Sequence, residues 1–270
     1  MGDGDKVFAG SIPEFYDTYL VPLIFEKYAA DLARRTAALQ PRFVLETAAG
    51  SGVVTRALAP HLAANAVYLV TDLNQPMLDH AAAKQGDDER INWRRADATA
   101  LPLDEDVFDA VVCQFGVMFY PDRVAGFREA RRVLKPGGTF LFNVWDHIGA
   151  NEFADEVTKA AATIFPEDPP MFLARTPHGY HDEAVIRREL EEAGFTEITI
   201  TTVEEESVGT SPRHPAIAYC QGTPLKNEIE ARDAASLEQV TEAAAQAIAA
   251  RFGDGEVRSK IRGHVIEAKA

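Results

Sequence analysis

Between Arg42 and Trp145 the chain alternates short runs of β-branched and aromatic residues with segments of helical periodicity, and this alternation restricts the fold more than any other feature. The runs are Arg42–Glu46, Ala66–Thr71, Ile91–Arg95, Phe108–Cys113 and Thr139–Trp145, and helices are expected at Val53 to about Leu62, Gln75–Lys84 and Arg123–Leu134. The fourth run, Phe-Asp-Ala-Val-Val-Cys, is nearly continuous apolar, as a strand covered on both faces must be. Strand and helix in turn imply an α/β fold, a parallel sheet covered by helices on both faces. Lys135-Pro136-Gly137-Gly138 reads as the stop of the third helix, with a glycine in the left-handed cap.

The rhythm resumes with a helix at Glu183–Ala193, capped by Gly194, a strand at Phe195–Val203 and a last strand at His264–Ala268 within the segment 259–270. Three segments interrupt it. Residues 1–40 carry an amphipathic helical arm, Ile12–Leu39, with Phe15, Tyr16, Tyr19 and Phe25; 147–181 is an apolar helix-like piece followed by a Pro-rich loop. Residues 204–258 hold Glu204-Glu205-Glu206, a loop with Pro212 and Pro215, and an Ala-rich helix, Ser236–Arg251. With no internal repeat and no Ser- or Gly-rich linker, the expectation is one core, 41–146 with 182–203 and 259–270, bearing three appendages.

Charge narrows the partners. The chain of 270 residues has a formal charge of −15, which repels nucleic acid and anionic lipid. The Arg pairs 94/95, 131/132 and 187/188 are isolated and read as solvated faces. Cys113 and Cys220 are too few for a disulfide framework or a thiolate metal site. The acidic N-terminus has no apolar h-region, and no stretch approaches the roughly 18 apolar residues of a membrane span, so a cytoplasmic protein is expected.

The chemistry sits in Val44-Leu45-Glu46-Thr47-Ala48-Ala49-Gly50-Ser51-Gly52, a strand running into a small-residue turn and then a helix. Small side chains let the backbone approach a ligand and present N–H groups at a helix N-terminus. A dinucleotide fingerprint fails at Thr55, where its third glycine belongs, and no P-loop occurs. Asp72 closes the second strand 20 residues after Gly52, the spacing at which a carboxylate accepts hydrogen bonds from both hydroxyls of a ribose.

Glu46-x-Ala48-x-Gly50-x-Gly52 resembles the first motif of the class I S-adenosylmethionine-dependent methyltransferases, most closely the ubiquinone/menaquinone-biosynthesis-like small-molecule group, with Ala48 in place of the usual glycine. Four further segments agree: Leu73 to Leu78, Arg95 to Pro102, Phe108 to Gly116 and Arg128 to Gly138, so that the resemblance spans roughly residues 40–145. It implies a Rossmann-like, seven-stranded, mostly parallel sheet with an antiparallel last strand, and S-adenosylmethionine as cofactor. It further implies that Glu46 orients the turn 47–52 (Thr47, Ala48, Gly50, Ser51, Gly52) under the methionine moiety, and that Asp72 meets the ribose, with Leu73 opening the segment that packs on the adenine. Met77, Asp97 and the Ala98 N–H would meet the adenine, Gln114 and Phe115 would lie at the end of strand four, and Tyr16 of the arm would touch the methionine end.

The implied reaction is in-line methyl transfer, in which proximity can supply up to about 7–11 kcal/mol and a general base is optional. Strands four and five should end on the cofactor edge, presenting Gln114, Phe115, Phe119, Trp145, Asp146 and His147. His147 is the candidate base, with a solvent-exposed loop histidine as the competing reading. The aromatic and aliphatic content of the appendages suggests a small apolar or aromatic acceptor. No metal is expected, since His178-x-x-His181-Asp182 lacks a spaced third ligand. The alternatives are a non-catalytic cofactor- or partner-binding module, which predicts an exposed apolar patch on the Ala-rich helix, and a nicotinamide oxidoreductase, which leaves Asp97-Ala98 unexplained. Nucleic-acid methylation is disfavoured because Gln114-Phe115-Gly116-Val117 stands where an Asn-Pro-Pro-Tyr motif belongs. The nature of the accepting atom and the oligomeric state stay open.

Overall fold

A computed structural model describes residues 12–270, the side chain of Pro13 excepted; residues 1–11 of the expected arm lie outside the described residues. The strands are β1 (Phe43–Glu46), β2 (Val67–Asp72), β3 (Ile91–Arg95), β4 (Phe108–Gln114), β5 (Leu134–Trp145), β6 (Thr196–Gly209) and β7 (Val257–Lys269). They form one seven-stranded sheet in the order β3-β2-β1-β4-β5-β7-β6. β1 pairs in parallel with β2 and β4, β2 with β3, and β4 with β5. β7 is antiparallel to β5: the Gly137 N–H donates to the Ala270 carbonyl at 3.2 Å, and the Asp146 N–H donates to the Arg262 carbonyl at 3.0 Å. The mostly parallel, Rossmann-like sheet with antiparallel pairing at its end is therefore as the resemblance implies.

The helices are α1 (Ile12–Phe15), α2 (Glu26–Ala38), α3 (Val53–Leu58), α4 (Gln75–Gln85), α5 (Arg123–Val133), α6 (Glu152–Ile164), α7 (Phe172–Arg175), α8 (Glu183–Glu192), α9 (Arg213–Gln221), α10 (Leu225–Arg232) and α11 (Leu237–Phe252). Between α1 and α2, Tyr16–Phe25 winds in wider π-helical geometry with Pro22 inside it. No helix among the described residues is long and apolar enough to cross a membrane.

The chain divides into two compact units. One comprises 26–144, 181–203 and 264–270. Its main core joins Val44 of β1, Tyr68 and Val70 of β2 and Ala110 and Val112 of β4 to Ala29, Leu32 and Ala33 of α2 and Val54 and Leu58 of α3. On another patch Phe127 of α5 meets Phe140 and Phe142 of β5, and Phe140 stacks on Phe195. The other unit gathers 12–25, 145–180 and 204–263, so it draws on each of the three interrupting segments of the sequence. Within it α11 packs on α6 and α9. The Ala-rich face, with Val240, Ala244 and Ile248 fully buried, is interior and forms no exposed patch.

Four sequence expectations are corrected. The arm is not one appendage: its second half, α2, buries Tyr28, Ala29, Leu32, Ala33 and Thr36 along one stripe and belongs to the sheet-bearing unit, where the Tyr28 hydroxyl donates to the Val203 carbonyl at 2.9 Å. In the wider winding of Tyr16–Phe25, Tyr16 stacks on Phe25 and Tyr19 on Phe15. Lys135-Pro136-Gly137-Gly138 does not cap α5. The helix ends at Val133, β5 begins at the extended Leu134 (φ −74°, ψ 139°), and the tetrapeptide lies within that strand, where Lys135 follows the extended bias of a residue before proline.

Finally, the strand expected to end at Val203 runs on through Glu204-Glu205-Glu206 to Gly209, into the segment expected to be an insertion. β6 lies at the sheet edge, where Glu204 and Glu206 pair with Lys260 and Arg258 of β7 at 3.1 and 2.5 Å; such cross-strand ion pairs let charge persist in an edge strand. β7 likewise starts at Val257, ahead of the expected terminal segment.

Candidate active site

The strand order reverses between β1 and β4, and a crevice at that switch point, outside the carboxyl ends of parallel strands, is where open α/β sheets hold ligands. The turn after β1 fills this position. Thr47 N–H donates to the Val112 carbonyl of β4 at 2.9 Å, and Ala49 N–H to the Thr71 carbonyl of β2 at 3.0 Å, so the turn is suspended between both neighbours. Ala48, Gly50 and Gly52 have φ of +53°, +57° and +76°. A Cβ on Gly52 would stand 2.9 Å from the Ala81 Cβ, and one on Gly116 would stand 2.6 Å from the Ala48 Cβ and 2.7 Å from the Cys113 sulfur. The loop after β4 therefore closes against the turn only because Gly116 has no side chain.

Asp72 ties the turn to β2. Its Oδ2 accepts from the Gly50 N–H at 2.8 Å and its Oδ1 from the Asn74 N–H at 2.7 Å. Burial raises its pKa, and the two backbone donors oppose that rise. Beside this buried carboxylate Leu73 is 40% exposed, an apolar side chain held on the surface at a strand end. Met77 is buried in the first turn of α4, its Cε 3.7 Å from where a Gly50 Cβ would be. The Ala96 N–H donates to the Asp72 carbonyl at 3.0 Å, which brings Asp97 and Ala98 to the same sheet edge; Asp97 is exposed and its Oδ1 accepts from the Thr99 N–H and hydroxyl at 2.9 and 2.7 Å.

At the end of β4, half-buried Gln114 leads into Phe115, which holds a φ of +48°. Its N–H donates to the Asn143 Oδ1 at 2.9 Å and its ring meets Tyr28 edge-on at 5.2 Å, contacts that sustain a conformation bulky residues avoid. The Ser51 hydroxyl is buried and meets no hydrogen-bond partner among the described residues. An orphaned hydroxyl in a backbone cradle beside a carboxylate and exposed Leu73 fits a polar ligand with a ribose and an apolar ring, as S-adenosylmethionine is.

Glu46 lies beneath the turn. Its Oε2 accepts from the Thr55 hydroxyl of α3 at 2.7 Å and from the Tyr68 hydroxyl of β2 in a short bond. Burial pushes its pKa up to about 7 against these two donors, with the Asp72 charge raising it and that of Arg56 lowering it. Sequence reasoning missed Tyr68 and Thr55. The signal lies in the register: Tyr68 pairs with Val44, so it reaches diagonally to Glu46 on the same sheet face, and register is a tertiary fact.

Tyr16 and His147 belong to the other unit. There, aromatic rings follow one another from Tyr16 to Phe25, Trp145 and His178, with centroids 5.2, 5.9 and 5.9 Å apart. His147 is exposed, and its Nδ1 accepts from the Gly149 N–H at 3.1 Å, capping a short helical turn. His178 is buried, with Nδ1 2.9 Å from the Asp146 carbonyl; a carbonyl only accepts, so Nδ1 carries a proton. Asp146 itself takes Arg262 Nε at 2.6 Å, and the Asn151 amide donates to the Asp146 and Arg262 carbonyls at 3.2 and 3.1 Å. Only the register of β7 brings Arg262 into this cluster.

A family model of the methyltransferase domain matches residues 45–142, the segment that carries the suspended turn, Asp72 and Phe115. The chain is 30% identical over 183 residues to the ubiquinone/menaquinone biosynthesis C-methyltransferase UbiE of Caulobacter sp. (strain K31), covering 58% of this chain and 69% of that protein. It is 31% identical over 172 residues to the demethylmenaquinone methyltransferase of Mycobacterium sp. (strain KMS), covering 57% and 68%. Among solved structures, protein BH2331 of Bacillus halodurans C-125 superimposes with a TM-score of 0.59 at 19% identity, covering 90% of this chain and 98% of that one. The [4+2]-cyclase SpnF superimposes with a TM-score of 0.54 at 17% identity, covering 90% and 80%, so the fold is shared beyond one reaction type. A relative more than two-thirds covered at 30% identity, together with motif, sheet order and turn, places the chain: it belongs to the class I S-adenosylmethionine-dependent methyltransferases.

Proposed function

We propose that this methyltransferase places a methyl group on a ring carbon of a small aromatic acceptor of the quinol type. The reading is carried by the turn at the switch point, with Asp72 bound to the Gly50 N–H, combined with relatives whose names specify C-methyl transfer and menaquinone precursors. The aromatic run Tyr16–Phe25–Trp145–His178 in the other unit supports an aromatic acceptor, since flat rings prefer stacked or edge-on neighbours.

When bound, S-adenosylmethionine supplies a sulfonium-activated methyl group. The turn Gly50–Ser51–Gly52, whose Gly50 and Gly52 N–H groups are held by Asp72 and the Ala49 carbonyl, would receive its methionine portion against the Ser51 hydroxyl, and Glu46 braces that turn from below. Asp72 accepts from the ribose hydroxyls with the lone pairs its two backbone bonds leave over, Leu73 and Met77 flank the adenine, and Asp97 with the Ala98 N–H reads its edge. Thr47, Ala48, Gln114 and Phe115 shape the methionine end. The acceptor hydroxyl would lose its proton to an imidazole, its ring carbon would take the methyl group as the sulfur–methyl bond breaks, and loss of the hydrogen from that carbon would restore the aromatic ring, with rate coming mainly from alignment. His147 follows β5 directly; the anchored ring and burial of His178 favour it as the proton acceptor.

The test is incubation with methyl-labelled S-adenosylmethionine and a reduced, side-chain-shortened demethylnaphthoquinone, with catechol and an aryl amine as competitors. Label on a ring carbon, located by NMR, is the expected product. Label only on oxygen or nitrogen of the competitors would overturn the acceptor assignment.

A further inference from the structure

We propose that Tyr68 is a positioning residue of the cofactor site: its phenol, with the Thr55 hydroxyl, holds the Glu46 carboxylate against the start of α3 and so fixes that carboxylate beneath the turn 47–52. This rests on the cofactor being held at that turn. Three elements meet at the carboxylate. β1 ends in Glu46, 1% exposed; β2 supplies Tyr68, fully buried; α3 supplies Thr55, also fully buried. The Glu46 carbonyl accepts from the Thr71 hydroxyl at 2.8 Å, so its backbone is pinned as well.

A buried carboxylate costs several kcal/mol unless it receives hydrogen bonds, and here both observed donors to Oε2 are neutral hydroxyls. The charged and titratable groups around it are Arg56 on α3, Asp72 and Tyr68 on β2 and Cys113 on β4. Arg56 favours the carboxylate and Asp72 opposes it, so the hydroxyl donors decide how readily Glu46 ionises near neutral pH. The ionised form suits a ligand whose amino group is cationic. Tyr68 touches no ligand in this scheme and acts only through Glu46.

The experiment measures the dissociation constant of S-adenosylhomocysteine by calorimetry from pH 5.5 to 9 for the full chain and for Tyr68→Phe, Thr55→Val and Glu46→Gln, each checked by thermal melting. In the parent, affinity falls on the acid side with a midpoint near 7. Loss of one hydrogen bond to a charged group moves that midpoint up by about one pH unit in Tyr68→Phe, and in the same direction in Thr55→Val. Binding by Tyr68→Phe is then several-fold weaker at pH 7 and restored at pH 9, a pattern a packing defect does not produce. An unmoved midpoint in both hydroxyl variants, with the acid limb abolished in Glu46→Gln, overturns the role of Tyr68. A Glu46→Gln variant with the parent's affinity and pH profile overturns the placement of the cofactor at this turn instead.

Discussion

The Gly50 N–H and the Asp72 carboxylate, twenty-two residues apart in sequence, meet at 2.8 Å and lock the turn after β1 to the end of β2. One side chain thus shapes the backbone cradle, and in the proposed function the same carboxylate accepts from the ribose. Asp72→Ala removes both functions and leaves the Gly50 and Asn74 N–H groups without their carboxylate. We expect S-adenosylhomocysteine affinity to fall at least tenfold and stability to drop by about 1–3 kcal/mol, read by calorimetry and by urea denaturation.

Ala48 occupies a left-handed conformation, with φ +53°, that a Cβ makes unfavourable by about 1–2 kcal/mol. Ala48→Gly should therefore raise the unfolding free energy by about 1 kcal/mol or less after allowing for the more flexible unfolded chain, as urea denaturation would show. Gly116→Ala should do the reverse, because its new Cβ would fall 2.6 Å from the Ala48 Cβ. A cost of about 1–3 kcal/mol is expected, and the double variant Ala48→Gly/Gly116→Ala should recover part of it.

Glu46 makes stability depend on pH. Burial raises its folded-state pKa from an ordinary 4.5 to about 7. Below pH 4.5 the carboxyl is neutral in both states and carries no penalty. As pH rises from 4.5 towards 7 the unfolded chain gains by ionising first, and above about 7 the full difference, about 3 kcal/mol, weighs against the fold. Glu46→Gln should accordingly gain stability relative to the parent at pH 8 and little or none at pH 4.5, as denaturant titrations at the two values would show.

The two imidazoles should separate kinetically. His178→Gln removes the buried ring whose Nδ1 is anchored on the Asp146 carbonyl, and label transfer to the quinol should slow by 10²–10⁴-fold at unchanged S-adenosylhomocysteine affinity. His147→Ala, at an exposed ring that caps a short turn, should change the rate by less than about threefold. The opposite ranking would return the proton-accepting role to the residue that follows β5.

Much of the sheet-bearing unit is legible in the sequence. β1 to β4 fall within a residue or two of the apolar runs that announce them, and Asp72 stands at its strand end as the spacing from Gly52 requires. These features depend on local periodicity and on small residues in succession, which a chain states without reference to distant partners. The same holds for α5 and α8, apart from a residue at the end of each.

Other features belong to the tertiary structure alone. That Tyr68 reaches Glu46 follows from the β1–β2 register, and that Arg262 meets Asp146 follows from the antiparallel pairing of β7 with β5. The extension of β6 through three glutamates depends on Lys260 and Arg258 arriving opposite them. Whether α2 is an appendage or part of the core is decided by its buried stripe finding β4 and α3. In each case the deciding energy is a contact between residues far apart in sequence, whereas periodicity records only which side of a segment prefers to leave water.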